Sequence, residues 1–355
     1  MCTWDWAALE TIDHFMRNGS DVYTITTDMS KAFDMVVHSK MFLKMLSRYK
    51  IPAIYIRLLI TVYRNQESNV RWENETSKNF TVKNGTGQGR VLAAIVYCLY
   101  MEELFVRLKK NKSGCWINGE YCGIFGYSDD NWGIAPSLNA LQDMTTTMEE
   151  YATEHNLKFS TDPVPNKCKT KTMAFLHKEK QLRNIILCGN PLPWVNSFKH
   201  LGTTVTNQIN GCKKDMEIKN ARYIEKHNQL MQEFYWADPD TITLINNIYN
   251  SHFYGSNCWD IFSEGSDRLE ATWNRSVKIT YNLPWETHRS CIPIISKVWH
   301  VKQLLMTRMF NFILKLRESN KRIIKVLLDV TKKNTLSVTG RNLRRILLMA
   351  IKMII

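Results

Sequence analysis

Residues Val22–Thr27 (VYTITT) alternate and are β-branched, so they predict a strand. The strand runs into Asp28-Met-Ser-Lys-Ala-Phe-Asp34. Ser30 reads as the N-cap of a helix over Lys31–Tyr49, whose apolar positions 33, 36, 37, 42, 43 and 46 have helical spacing. A second helix, Ala53–Arg64, follows Pro52. Short strands are expected at Ser68–Arg71 and Asn79–Lys83, a loop at Gly85-Thr-Gly-Gln-Gly89, and a largely apolar helix over Val91–Leu108. Asn118-Gly119 between strand-like residues is a strong hairpin signal. The second strand of that hairpin, Tyr121–Gly126, leads to Tyr127-Ser-Asp-Asp130. Leu138–Asn156 is an amphipathic helix, and Thr170–Leu176, Asn184–Leu187 and Phe198–Val205 read as strands. From residue 211 onward helical periodicity dominates, with breaks near Pro239, Gly255, Gly265, Pro284 and Pro293.

This pattern predicts an α+β domain over 1–208, a helical segment over 209–285 and a helical C-terminal region over 286–355. Strands that arrive in hairpins, not in strand–helix crossovers, imply an antiparallel sheet.

Charge sharpens the division. The net charge is +14, but residues 1–300 hold 34 basic against 31 acidic residues, and residues 301–355 hold 13 against 2. The body is near neutral and the tail is basic, which suits a phosphate-bearing partner, though a solvated helix face would look the same. Within the tail, Arg317, Lys321, Lys325 and Lys332 fall at spacings that can share one helical face. Nine dispersed Cys form no C-x-x-C pair, which argues against a zinc knuckle and a disulfide framework and predicts an intracellular, reducing setting. The start carries no signal-peptide pattern, and no apolar run approaches the ~18 residues of a membrane span, so no membrane role is expected. Eleven Trp residues are each large enough to anchor a core or to stack on a base.

Two acidic clusters carry candidate chemistry. Asp28 ends a strand, and Asp129-Asp130 sits in a tight hairpin turn. Adjacent carboxylates at a turn repel unless a cation or hydrogen bonds compensate. Mg²⁺ accepts hard oxygen ligands and usually also binds substrate phosphates. Two such ions ~3.5–4 Å apart could activate a hydroxyl and stabilise a leaving pyrophosphate. Asp-Asp is also an ordinary turn dipeptide, so the pair alone decides nothing.

The order of the surrounding segments does. Thr27–Asp34, Gly85–Gly89 and Phe125–Asp130 resemble motifs A, B and C of reverse transcriptases, closest in look to LINE-type, non-LTR, jockey-like retrotransposon enzymes. Lys169-Thr-Lys-Thr-Met-Ala-Phe175 resembles motif D, and Phe198-Lys-His-Leu-Gly202 resembles motif E, the primer grip. The resemblance implies a right-hand polymerase palm followed by a helical thumb and C-terminal region. It implies RNA-directed DNA polymerase activity with two Mg²⁺ ions, or Mn²⁺ in their place. RNA template, DNA primer and deoxynucleoside triphosphates would be the partners. Asp28, Asp129 and Asp130 would be catalytic and metal-binding, and Met29 would add its carbonyl. Phe33 would be the ring beneath the sugar that disfavours a 2′-hydroxyl. Gln88 and Gly89 would meet the nucleotide and template, and Lys169 the pyrophosphate, although an ordinary exposed lysine is the simpler reading of Lys169. Tyr127, His200, Leu201 and Gly202 would lie along the primer.

The sequence also departs from the family pattern. Only 27 residues precede Asp28, which predicts that the fingers are largely missing. Arg90 stands where a smaller residue is usual, Ala93-Ala94 replaces Ser-Pro, and Asn131-Trp132 replaces an apolar pair. An insertion, 161–166, precedes the motif D segment. The retained carboxylates favour a polymerase. The missing fingers favour the alternative, a catalytically inactive nucleic-acid-binding remnant of a degenerate element copy.

Overall fold

The computed structural model describes residues 3–352 except 88, 209–211, 251–252 and 335, and the side chains of 249–250 and 350–352 fall outside the description as well. The central feature is a four-stranded antiparallel sheet. Its strands are β1 (Val22–Thr27), β2 (Ile124–Tyr127), β3 (Asp130–Ala135) and β4 (Lys171–Phe175), in the order β4–β1–β3–β2. The expected α+β class and antiparallel sheet are therefore found.

The register shows why alternation matters. Tyr23 pairs with Ala135 and Ala174, and Thr27 pairs with Asn131. Because successive side chains point to opposite faces, Tyr23, Ile25 and Ala174 enter one core, whereas Val22, Trp132, Ile134, Met173 and Phe175 enter the other. The first core is closed by α4 (Ala93–Lys110) and α5 (Leu138–Glu154), which contribute Tyr97, Tyr100, Met144 and Tyr151. Ser137 caps α5 by accepting from the Ala140 N–H at 3.1 Å.

The second core reaches across the whole chain. It joins α1 (Thr3–Arg17) to α6 (Cys212–Glu233), α8 (Glu264–Thr280), α10 (Val301–Arg317) and α11 (Arg322–Lys333) through Trp6, Tyr223, Trp273, Phe312 and Leu327. The remaining helices are α2 (His38–Ser47), α3 (Ala53–Arg64), α7 (Pro239–Asn250), α9 (Ile292–Ser296) and α12 (Val338–Lys352). Among the described residues no helix is long and apolar enough to cross a membrane.

Three local expectations are corrected. The helix expected from Lys31 starts only at His38, because Lys31 takes a left-handed φ of 49° and residues 30–35 form turns. The single strand expected over Phe198–Val205 is a hairpin, β5 (Ser197–His200) and β6 (Thr203–Thr206), with Leu201 (φ 43°) and Gly202 (φ 82°) at its turn. Arg317 and Lys325 do not share one helix: α10 ends at Arg317 and α11 begins at Arg322. Lys321 between them packs its ammonium 4.1 Å from the Trp4 ring centroid instead.

Candidate active site

Pairing of β1 with β3 builds the site. Thr27 and Asn131 are register partners, so Asp28, one residue on, and Asp130, one residue back, emerge at the same end of the sheet. Asp129 lies in the β2–β3 turn, where Tyr127 pairs with Asp130 and Ser128 adopts φ 59°. The chain thus closes a two-residue loop with one left-handed position. Backbone pairing brings Asp28 to the same end of the sheet as the turn that carries Asp129, 101 residues away in sequence.

The backbone of Asp28 is held on both sides. Its N–H donates to Thr170 Oγ1 at 3.3 Å, and its carbonyl accepts from the Ser160 N–H at 2.8 Å. Lys169 places its ammonium 3.7 Å from Asp28 Oδ2 while remaining largely exposed. It is an exposed lysine, and it also stands at the site. Burial, followed by the nearby Asp129 and Asp28 carboxylates, pushes the Asp130 carboxyl above its ordinary value, against a lowering by His200.

Three buried oxygens around these residues, Thr27 Oγ1, Thr86 Oγ1 and Asn131 Oδ1, have no hydrogen-bond partner among the described residues. Among the same residues no three His, Cys, Asp or Glu side chains converge into a ready metal cage. Mg²⁺ rarely uses such a cage. It is held by one or two carboxylates, with waters and substrate phosphates completing the shell. The hard-oxygen donors at this sheet end fit that ion.

Beneath the carboxylates, Met29 is buried and its sulfur accepts from Tyr97 Oη at 3.3 Å. Phe33 is half-buried, with its ring 5.0 Å from that of Tyr97. It sits on a turn, not on the expected helix. Its carbonyl accepts from the Thr86 N–H at 2.8 Å, and the Gly85 N–H donates to the Val36 carbonyl at 2.8 Å. These two bonds tie the glycine loop to the segment after Asp28. Gly85 has φ +87°, and a Cβ there would lie 2.9 Å from the Asp34 backbone, so only glycine permits this approach. Gly89 is exposed, with φ +81°. Gln88 lies outside the described residues.

Tyr127 is exposed at the mouth of the site. Gly202 is exposed and Leu201 half-buried at the β5–β6 turn. His200 differs from expectation. It is buried, with its ring 5.3 Å from Trp132 and its Nδ1 2.6 Å from Asp5 Oδ1. An imidazole enclosed in this way supports the hairpin from behind and does not face a primer, which leaves the exposed side of the turn to Leu201 and Gly202. Asn131 and Trp132, the unusual pair after the aspartates, are both buried, so they anchor the hairpin as an apolar pair would.

Asp5 was not anticipated from the sequence, and neither was the part α1 plays behind the site. The signal was present: Trp4, Trp6, Ala7, Ala8, Leu9, Ile12, Phe15 and Met16 recur at helical spacing. An acidic residue on such an apolar face calls for a buried partner.

A sheet end that gathers carboxylates from a strand terminus and a hairpin turn, with a glycine loop tied beside them, is the polymerase palm. Residues 2–205 match the reverse transcriptase (RNA-dependent DNA polymerase) family, and the chain belongs to that family. The chain is 22% identical over 266 residues to the probable RNA-directed DNA polymerase from transposon X-element of Drosophila melanogaster. That alignment covers 73% of this chain and 28% of the relative, so the chain spans little more than a quarter of the relative's length. Among solved structures it is similar to telomerase from Candida tropicalis in complex with a TWJ fragment of telomeric RNA, with a TM-score of 0.47 and 15% identity, covering 97% of this chain and 52% of that one. For apo telomerase from the same yeast the TM-score is 0.45 and the identity 14%, covering 96% and 50%.

Proposed function

We propose that this chain is the nucleotidyl-transfer module of a retrotransposon polymerase, extending a DNA primer on an RNA template from deoxynucleoside triphosphates. The observation that carries the reading is the pairing of Thr27 with Asn131, which sets Asp28 beside Asp130 and next to Asp129 at one sheet end. Asp28, Asp129 and Asp130 would hold Mg²⁺, or Mn²⁺ in its place. When bound, the ion supplies charge that lowers the pKa of the attacking hydroxyl and offsets negative charge on the departing pyrophosphate.

The chain's own groups do the rest. Phe33, braced by Tyr97, offers a flat wall against which a 2′-hydroxyl clashes, selecting deoxyribose. Lys169, already 3.7 Å from Asp28, brings an ammonium to the departing phosphates. The loop Gly85–Gly89 allows a base pair to approach backbone, and Tyr127, Leu201 and Gly202 line the path of the primer end. The segment 1–208 would act as palm, 209–285 as thumb and 286–355 as a basic flank.

Primer extension on poly(rA)/oligo(dT) with Mg²⁺ tests this reading. Extension by the wild type and none by Asp129→Asn, which keeps the shape but loses the charge, is the expected result. Template binding with no extension under any divalent ion would overturn it in favour of a non-catalytic remnant.

A further inference from the structure

Helix α8 has two working faces. Leu269, Trp273, Ser276, Val277 and Thr280 are buried, and Trp273 stacks on Tyr223 of α6 with ring centroids 5.4 Å apart. The opposite stripe, Ala271, Asn274, Arg275 and Lys278, has the spacing i, i+3, i+4, i+7 and lines a pocket of about 440 Å³. After the helix the chain reverses: Asn282 takes φ 49°, and the Leu283 N–H returns to the Lys278 carbonyl at 2.9 Å. This turn carries Trp285 back over the stripe. The Arg275 guanidinium lies 5.7 Å from the indole centroid, and Lys278 Nζ donates to the Trp285 carbonyl at 2.6 Å. Arg289 completes the wall, and the buried side chain of Ile292 forms the floor.

The chemistry of this pocket is one-sided. Arg275, Lys278 and Arg289 form no ion pair with a carboxylate among the described residues, whereas Arg107, Lys219 and Arg341 do. Glu286 follows Trp285 in sequence but does not line the pocket. Trp285 is 60% exposed, so its ring is open to stack on a flat partner. The Asn274 amide oxygen is itself buried and has no hydrogen-bond partner among the described residues.

We propose that this pocket binds one nucleotide of a single-stranded nucleic acid, with the base against Trp285 and Arg275 and its phosphate between Lys278 and Arg289. The proposal deepens the polymerase reading and rests on it for the presence of nucleic acid. A single strand fits better than a duplex, because paired bases hide their faces and a lone indole can stack only on an unstacked base. A peptide carboxylate would satisfy the cations but leave the indole unused.

Fluorescence anisotropy on the full chain, with labelled U12 and a labelled hairpin duplex and without metal or triphosphate, tests this. Trp285→Ala should weaken U12 binding about tenfold, within the range for loss of one base–aromatic stack, and change duplex binding less than twofold. Trp285→Phe should restore most of the loss. Arg289→Gln should reduce the salt slope for U12 by about 0.7, the value for one phosphate of a single strand that is no longer neutralised. Circular dichroism checks that each variant is folded. The proposal is overturned if wild type does not bind U12, if Trp285→Ala binds it within twofold of wild type, or if duplex affinity falls equally. Competition by uridine monophosphate at U12's own concentration would mark a free-nucleotide site instead, and preference for phosphatidylserine vesicles would mark a lipid surface; either result also overturns it. Because no catalysis is measured, failed primer extension alongside an intact Trp285 effect would sink the polymerase reading alone.

Discussion

The Asp5 carboxylate and the His200 imidazole form a hydrogen bond of 2.6 Å deep behind the candidate active site, each side chain about 5% exposed. Asp5 lies on the first helix and His200 on the β5–β6 hairpin, and the His200 ring rests on Trp132, two residues beyond Asp130. Three distant segments are thereby held behind the carboxylates.

Removing one partner of a buried pair leaves the other without compensation. Asp5→Ala is expected to cost about 3 kcal/mol of stability. Urea unfolding followed by circular dichroism reads it, and a loss below about 0.5 kcal/mol would show that the pair does not hold the hairpin.

Glu10, also on α1, sits in a cavity of about 220 Å³ among Trp6, Ile12, Met216 and Val338, and accepts a hydrogen bond from Thr331 Oγ1 at 3.0 Å. Burial, only partly offset by hydrogen bonds from Thr339, pushes its carboxyl up to about 7. The folded chain therefore binds this proton more tightly than the unfolded chain. Stability from this group is fully present below the unfolded pKa of about 4.5 and is lost as pH rises through 7, to a total of about 3 kcal/mol. Glu10→Gln should remove that slope. Urea midpoints of wild type and variant measured from pH 5 to 8 should diverge as pH rises; parallel curves would refute the assignment.

Phe33→Val shortens the wall beside Tyr97 without emptying a core, since Phe33 is only half-buried. DNA synthesis should stay measurable while ribonucleotide incorporation rises at least tenfold. Competition between dTTP and UTP on one template provides the ratio, and an unchanged ratio would place sugar selection elsewhere.

Gly85→Ala introduces a Cβ 2.9 Å from the Asp34 backbone at a φ of +87°. The glycine loop must then shift, at a cost of about 1–3 kcal/mol for the backbone conformation. We expect a rise in the KM for deoxynucleotides with global stability lowered by that amount, measured by steady-state extension and urea unfolding. A variant matching wild type in both would show that the loop tolerates the side chain.

Much of the palm was legible in sequence because its signals are local. The alternation of Val22–Thr27, the Asn118-Gly119 turn and the helical spacing of Leu138–Glu154 each reflect a few neighbouring residues, and the structure carries all three. The carboxylates Asp28, Asp129 and Asp130 stood out because the segments around them follow the motif order of reverse transcriptases. The sequence also showed the basic tail, since charge is a sum over residues and needs no fold.

Only the tertiary structure decided what those residues face. Register between β1 and β3 is set by backbone hydrogen bonds across 104 residues, from Thr27 to Asn131, and composition carries no trace of it. The primer-grip resemblance sets His200 along the primer, yet Asp5, 195 residues away, encloses it. Lys169 reads as any surface lysine until the loop before β4 brings it to Asp28. In each case the deciding interaction joins parts of the chain whose separation in sequence says nothing of their separation in space. Burial and hydrogen bonding act on the folded distance alone.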